Sequence, residues 1–220
     1  MHNNFLLICA VILFSCASKP TETGLKNKSR PIIGKECHDT LSRFERAKIL
    51  KNYLSKFPDN IAQEKFYYYF PNSFDEFKSI FGYYEVSMSG ADFGPLYDES
   101  QKYIDAFFNI KNISPSKITK RAINIAKEGH WQADGINIFQ LYLQEDLTNN
   151  LTRYIEELKM EREDIINSFW YFYFDGPNPE NYKKDYELLY QKVKKIDTEI
   201  AELMKQAYEK VLSEHDGHGH

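Results

Sequence analysis

Between residues 39 and 213 the apolar positions recur three and four apart, the spacing of one face of an α-helix. Leu41, Phe44, Leu50, Leu54 and Phe57 mark a first helix over residues 39–57, capped by Asp39 or Thr40 and ended by Pro58-Asp59-Asn60. Residues 61–70 include Phe66-Tyr67-Tyr68-Tyr69-Phe70, a run that fits helix or strand by pattern and is read as helix from its neighbours. Ser73-Phe74-Asp75-Glu76 has the form of a capping box, with Ser73 capping the third amide while Glu76 reaches back. Phe74, Phe77, Ile80 and Phe81 then share one side, and Gly82 closes the helix.

Residues 84–95, with Gly90 and Gly94, read as a loop. It contains Asp92-Phe93-Gly94, the kinase metal-loop tripeptide, without the Gly-rich loop or catalytic-loop motif that would give it meaning. Tyr97, Tyr103, Ile104, Phe107 and Phe108 predict a helix over 96–110. Ser114 and Pro115 open the next, with Ile118, Ala122 and Ile125 as its stripe and Gly129 at its end. Ile136, Phe139, Leu143 and Leu147 continue over 134–147.

A long pair follows. Leu151, Tyr154, Leu158, Ile165, Phe169 and Phe172 line the first arm, with Arg162 on its seam needing a carboxylate or an outward path. Leu189, Val193, Ile196, Ile200, Leu203 and Ala207 line the second at alternating four and three. Ser168-Phe169-Trp170-Tyr171-Phe172-Tyr173-Phe174 is the densest apolar deposit in the chain, and Asp175-Gly176-Pro177 stops it. No alternating strand series and no repeat is visible. The expected fold is all-α: a single helical domain of about seven or eight helices, residues 36–213, ending in a long antiparallel helical hairpin.

Ahead of this domain the pattern changes. Phe5-Leu6-Leu7-Ile8-Cys9-Ala10-Val11-Ile12-Leu13-Phe14 is too short to span a bilayer and suits a signal segment. Leu13-Phe14-Ser15-Cys16 resembles a bacterial lipobox, although no Lys or Arg precedes the apolar run and Phe14 is large for its place. The resemblance implies cleavage after residue 15 and acylation of Cys16, and acyl chains at roughly 0.8 kcal/mol per buried CH₂ would hold the protein on a membrane. An ordinary cleaved signal peptide, or a buried N-terminal helix, is the simpler alternative. Residues 16–35 then read as lipidated cysteine and tether, with Lys19, Lys26, Lys28, Arg30 and Lys35 against Glu22. Ala17 and Ser18 follow Cys16 with no Asp, which points to an outer membrane, facing the periplasm.

Composition narrows the function. The formal net charge is −4 with both signs mixed along the chain, which argues against a nucleic-acid partner. Cys9, Cys16 and Cys37 are the only cysteines, so a mature chain with Cys16 modified has no internal disulfide. The 16 Phe, 16 Tyr and 2 Trp are a heavy load, and consecutive aromatics on a helix point all round it; core packing is the first explanation and a partner surface a serious second. Tyr68, Trp131, Trp170, Tyr171 and Tyr173 are the candidates, with core packing the competing explanation.

Candidate chemistry is sparse. If residues 130–134 begin a helix, His130 and Asp134 share a face, and with Asp175 they form the one candidate acid/base or metal site. A capping turn and a helix stop explain the same residues without chemistry. His215, His218 and His220 in the tail, residues 214–220, are weak metal ligands at most. No P-loop, GxGxxG, GxSxG or triad signature occurs, and no cofactor is expected.

Residues 70–83 (FPNSFDEFKSIFGY), 95–108 (PLYDESQKYIDAFF), 129–140 (GHWQADGINIFQ) and 168–179 (SFWYFYFDGPNP) together resemble a family of small secreted or lipid-anchored bacterial proteins of unknown function. The resemblance covers most of residues 60–180 and supplies no catalytic residue. It associates the chain with lipoproteins that neighbour secreted antibacterial toxins and act as immunity proteins. The expectation is therefore a membrane-anchored binding protein. A hydrolase or metal protein centred on His130, Asp134 and Asp175, or a purely structural envelope lipoprotein, are the alternatives.

Overall fold

A computed structural model describes residues 41–86 and 90–216; the leader, Cys16, the tether, Cys37, His218 and His220 lie outside them. The fold is all-α apart from one small hairpin. Ten α-helices occur among the described residues: α1 Arg43–Leu54, α2 Asn60–Tyr69, α3 Phe74–Phe81, α4 Ser100–Phe108, α5 Pro115–Ala126, α6 Gly135–Asn149, α7 Leu151–Leu158, α8 Glu163–Phe174, α9 Lys183–Ile196 and α10 Thr198–Asp216. Strands β1, Tyr83–Val86, and β2, Gly90–Phe93, pair antiparallel between α3 and α4.

Helix starts follow local side-chain chemistry. Ser42, not Asp39 or Thr40, caps α1, and Glu45 completes a capping box with the Ser42 N–H at 2.9 Å. Ser73 caps α3 through the Glu76 amide at 3.3 Å. Glu76 reaches one residue further back than expected, to the Asn72 N–H at 2.8 Å, and also holds the buried Arg46 at 3.1 Å. Arg121 on α5 does the complementary job at the end of α2. Its guanidinium donates to the carbonyls of Tyr67 and Phe70 and lies over the Tyr67 ring.

Both arms of the expected long hairpin are broken once. The first turns at residues 159–162, which takes the seam position Arg162 out to solvent and onto Asp164 at 2.5 Å. A charged side chain facing a partner helix would need desolvation, and the turn avoids it. The second breaks at Asp197, whose carboxylate accepts the Ile200 N–H at 2.9 Å and pairs with Lys159 at 2.8 Å. Ile196, next to that break, is partly exposed, whereas Leu189, Val193, Ile200, Leu203 and Ala207 are buried. The chain ends in α9 and α10, which pack together. α10 continues through Glu214 and His215, positions assigned to the tail by composition.

α8 is the centre of the domain. It packs on α5, α6 and α10, so Phe169, Trp170, Phe172, Tyr173 and Phe174 are all buried although they point around the helix. Phe172 meets Phe74 and Phe139, Trp170 meets Phe174, and Phe174 meets Tyr208. A second aromatic block, Phe66, Phe70, Phe77, Phe81 and Phe107, joins α2, α3 and α4.

Candidate binding surface

The segment between α5 and α6, residues 127–134, ties more elements together than its length suggests. Glu128 leaves α5 at φ 63° and donates its N–H to Ser168 Oγ at 2.6 Å. Trp131 donates its N–H to Asp175 Oδ2 at 2.5 Å and its indole N–H to Asn137 at 3.2 Å. Gln132 makes a reciprocal pair with Tyr83, giving Nε2 to the carbonyl at 3.1 Å and taking the N–H at 3.2 Å. Asp134 sits at φ 63° and accepts from the Tyr97 hydroxyl. Two non-glycine residues with positive φ in seven positions are a local strain that the surrounding hydrogen bonds hold in place.

This arrangement differs from the helical geometry expected for His130 and Asp134. Residues 130–134 are not helical, so His130 and Asp134 share no face. The Asp134 carboxylate is taken by Tyr97, and the largely buried Asp175 is taken by the Trp131 amide. His130 packs on Phe74 with ring centroids 4.9 Å apart. Burial and then Lys78 push its pKa down, while Asp175 and Asp75 pull it up less strongly. No hydrogen bond joins any two of the three. Among the described residues no group of three or more His, Cys, Asp or Glu side chains is placed to hold a metal ion. His215 accepts or donates at Nδ1 to the Val211 carbonyl at 2.9 Å within its own helix.

The candidate aromatic anchors divide. Trp170 and Tyr173 are buried because helices enclose α8, so neither offers a surface contact. Tyr171 is half-buried, with its hydroxyl on Glu214 at 2.6 Å and Lys210 over its ring. Tyr68 is half-buried and edge-on to Tyr69, and Trp131 is half-buried.

Among the described aromatics only Phe93, in the β1–β2 hairpin, and Phe44, on α1, are exposed. Gly94 follows β2 and hydrogen-bonds Gly82 at 2.9 Å; a Cβ there would stand 2.3 Å from the Ile80 carbonyl, so only glycine allows this approach to α3. Arg43 of α1 donates to both carboxylate oxygens of Asp92, at 2.8 and 2.9 Å, and holds the hairpin from the other side. That ion pair keeps the Asp92 carboxyl below its ordinary range. Each residue of the Asp92-Phe93-Gly94 tripeptide thus has a structural or surface role. Phe93 is 50 % exposed, its ring tilted against Tyr97 at 4.6 Å and Tyr83 at 6.0 Å, both half-buried. The Asp134 hydrogen bond, with burial second, pushes the Tyr97 hydroxyl up to about 12. Val86 and Phe44 are also exposed, the latter beneath the Arg43 guanidinium.

These contacts tie the hairpin to α1, α3 and the 127–134 segment. Periodicity misses it because the strands are short; Phe93 and Tyr97 carry no distinctive signal. No family model, curated protein or solved structure matches the chain.

Proposed function

We propose that this protein is a lipid-anchored, periplasm-facing helical domain that acts by binding a secreted protein. The observation that carries the reading is the exposed Phe93, flanked by half-buried Tyr97 and Tyr83 and fixed to α3, α1 and the 127–134 segment. The lipobox-like Leu13-Phe14-Ser15-Cys16 supports the anchor and an outer-membrane location. Among the described residues no helix is long and apolar enough to cross a membrane. The resemblance in residues 70–83, 95–108, 129–140 and 168–179 favours a toxin as the partner and immunity as the role.

The test is capture from the envelope and secreted fractions of the producing cells. The reading requires one stoichiometric protein partner that is lost in Phe93→Asp while the melting temperature is kept. Capture unaffected by Phe93→Asp would remove the hairpin from the interface. Acyl modification is tested separately by the mass of the mature protein and its release from membranes by Cys16→Ala.

A further inference from the structure

The two edges of the β1–β2 hairpin are finished differently. The strands pair Tyr83 with Phe93, Tyr84 with Asp92, Glu85 with Ala91 and Val86 with Gly90. Gly94 donates to the Gly82 carbonyl at 2.9 Å, so the next pair out, Gly82 with Gly94, is a hydrogen-bonded one. Bonded and non-bonded pairs alternate along an antiparallel ladder, which makes Tyr83–Phe93 and Glu85–Ala91 the non-bonded pairs. Their backbone N–H and C=O groups therefore point away from the opposite strand. Tyr83 bears this out on the β1 side. The Gln132 side-chain amide takes both its N–H and its C=O, at 3.2 and 3.1 Å, as a neighbouring strand would. The β2 side has no such cover. Among the described residues no hydrogen bond reaches the backbone N–H or C=O of Ala91 or Phe93. All four residues of β2 are exposed. Arg43 is committed to the Asp92 carboxylate, on the face of the hairpin opposite Phe93.

We infer that the open edge of β2 receives an extended segment of a protein partner as an antiparallel third strand. The inference rests on the binding reading above and gives it a mode. The outward groups of Ala91 and Phe93, roughly 7 Å apart along the strand, match the repeat of an extended backbone. Added residues opposite Ala91 and Phe93 project on the face of Phe93 and its neighbour Tyr97, which favours apolar side chains there. The residue between them lies opposite Asp92, already paired with Arg43, which favours a polar one. The partner segment is thus apolar–polar–apolar. A second copy of β2 fits poorly, because the pairing that uses both Ala91 and Phe93 sets the two Asp92 side chains directly opposite each other.

The probe is a phage-displayed library of random peptides about nine residues long, panned on the full chain. The inference expects selected peptides with apolar–polar–apolar alternation. Their affinity should fall at least tenfold in Ala91→Pro, which removes an outward N–H and spares the β1–β2 ladder. Glu85→Pro makes the same change on the other edge and should alter affinity less than twofold; melting temperatures check that both variants fold. N-methylation of a selected peptide at alternate residues should abolish binding in one phase and spare it in the other, a readout independent of how either variant folds. Equal loss in both proline variants, indifference to the phase of methylation, or failure to select any peptide would overturn the inference. So would a dimer of the parent chain that Ala91→Pro dissociates, which would give the edge to a second copy. In capture from the producing cells, loss in Phe93→Asp but not in Ala91→Pro removes the strand mode and leaves the binding reading standing; no loss in either removes both.

Discussion

The Asp175 carboxylate, at the end of the central helix α8, accepts the backbone N–H of Trp131 at 2.5 Å, forty-four residues away in sequence. The bond joins the central helix to the segment that carries Gln132 and Asp134. Those two in turn hold Tyr83 and Tyr97, so the aromatic hairpin is fixed to the core through a short chain of named contacts. Gln140 supports the same junction from α6, donating to the Phe172 and Asp175 carbonyls at 2.5 and 2.6 Å.

Asp175→Ala removes the acceptor of the partly buried Trp131 amide. The expected loss is about 1–3 kcal/mol in denaturant unfolding, with helical circular dichroism intact. Asp175→Asn retains an acceptor oxygen and should lose less. Equal stability of Asp175→Ala and the parent would show that the junction carries no weight.

Two glycines should respond in opposite ways. A Cβ on Gly135 would stand 2.2 Å from the Phe81 carbonyl, so Gly135→Ala must push α6 off α3 and cost roughly 3 kcal/mol or more. A Cβ on Gly176 would meet Tyr182 at an ordinary 3.7 Å, so Gly176→Ala should be tolerated. Thermal melts of the two variants, side by side, decide it.

Alkaline pH tests the Tyr97–Asp134 contact. The folded pKa of Tyr97 is raised from 10.0 to about 12, so its stabilisation is complete below pH 10 and is lost as pH rises through 12. Burial also raises Tyr103, Tyr173 and Tyr186 to about 12, so the whole domain should weaken over this range. Tyr97→Phe should lower stability at neutral pH and lose less of it between pH 10 and 12. Melting temperatures across that range, with phenolate absorbance, provide the check.

Acid pH tests His130 with the opposite sign. Its pKa is lowered from 6.5 in the folded state, so the unfolded chain binds more protons. Its contribution is therefore intact above pH 6.5 and is lost as pH falls from there through the lower folded pKa. Asp92, Glu99 and Asp197 also have lowered values, but from 3.8, 4.5 and 3.8, so they act at lower pH. His130→Gln should narrow the difference in melting temperature between about pH 7.5 and 5.5.

Helices are legible in this chain where an apolar stripe runs for several turns, as in α3, α5 and α6. Their breaks are not. Arg162 and Asp197 interrupt long periodic runs without Pro or Gly; their contacts to Asp164 and the Ile200 N–H are local, and an unbroken apolar period masks them. The hairpin is illegible because four residues hold too little alternation to be told from a loop. Trp170 and Tyr173 look like surface anchors in sequence, since consecutive aromatics cannot all face one neighbour; α8 buries them by being enclosed. His130, Asp134 and Asp175 suggest a site by residue type, yet backbone geometry assigns two of them to hydrogen bonds that hold the fold.

Site-specific photo-crosslinking from position 93 in the producing cells tests the binding account most directly. The account predicts one discrete adduct with a secreted protein, absent when the same probe replaces Leu141, an exposed residue on α6. Adducts of equal yield from both positions, or none from position 93, would contradict it.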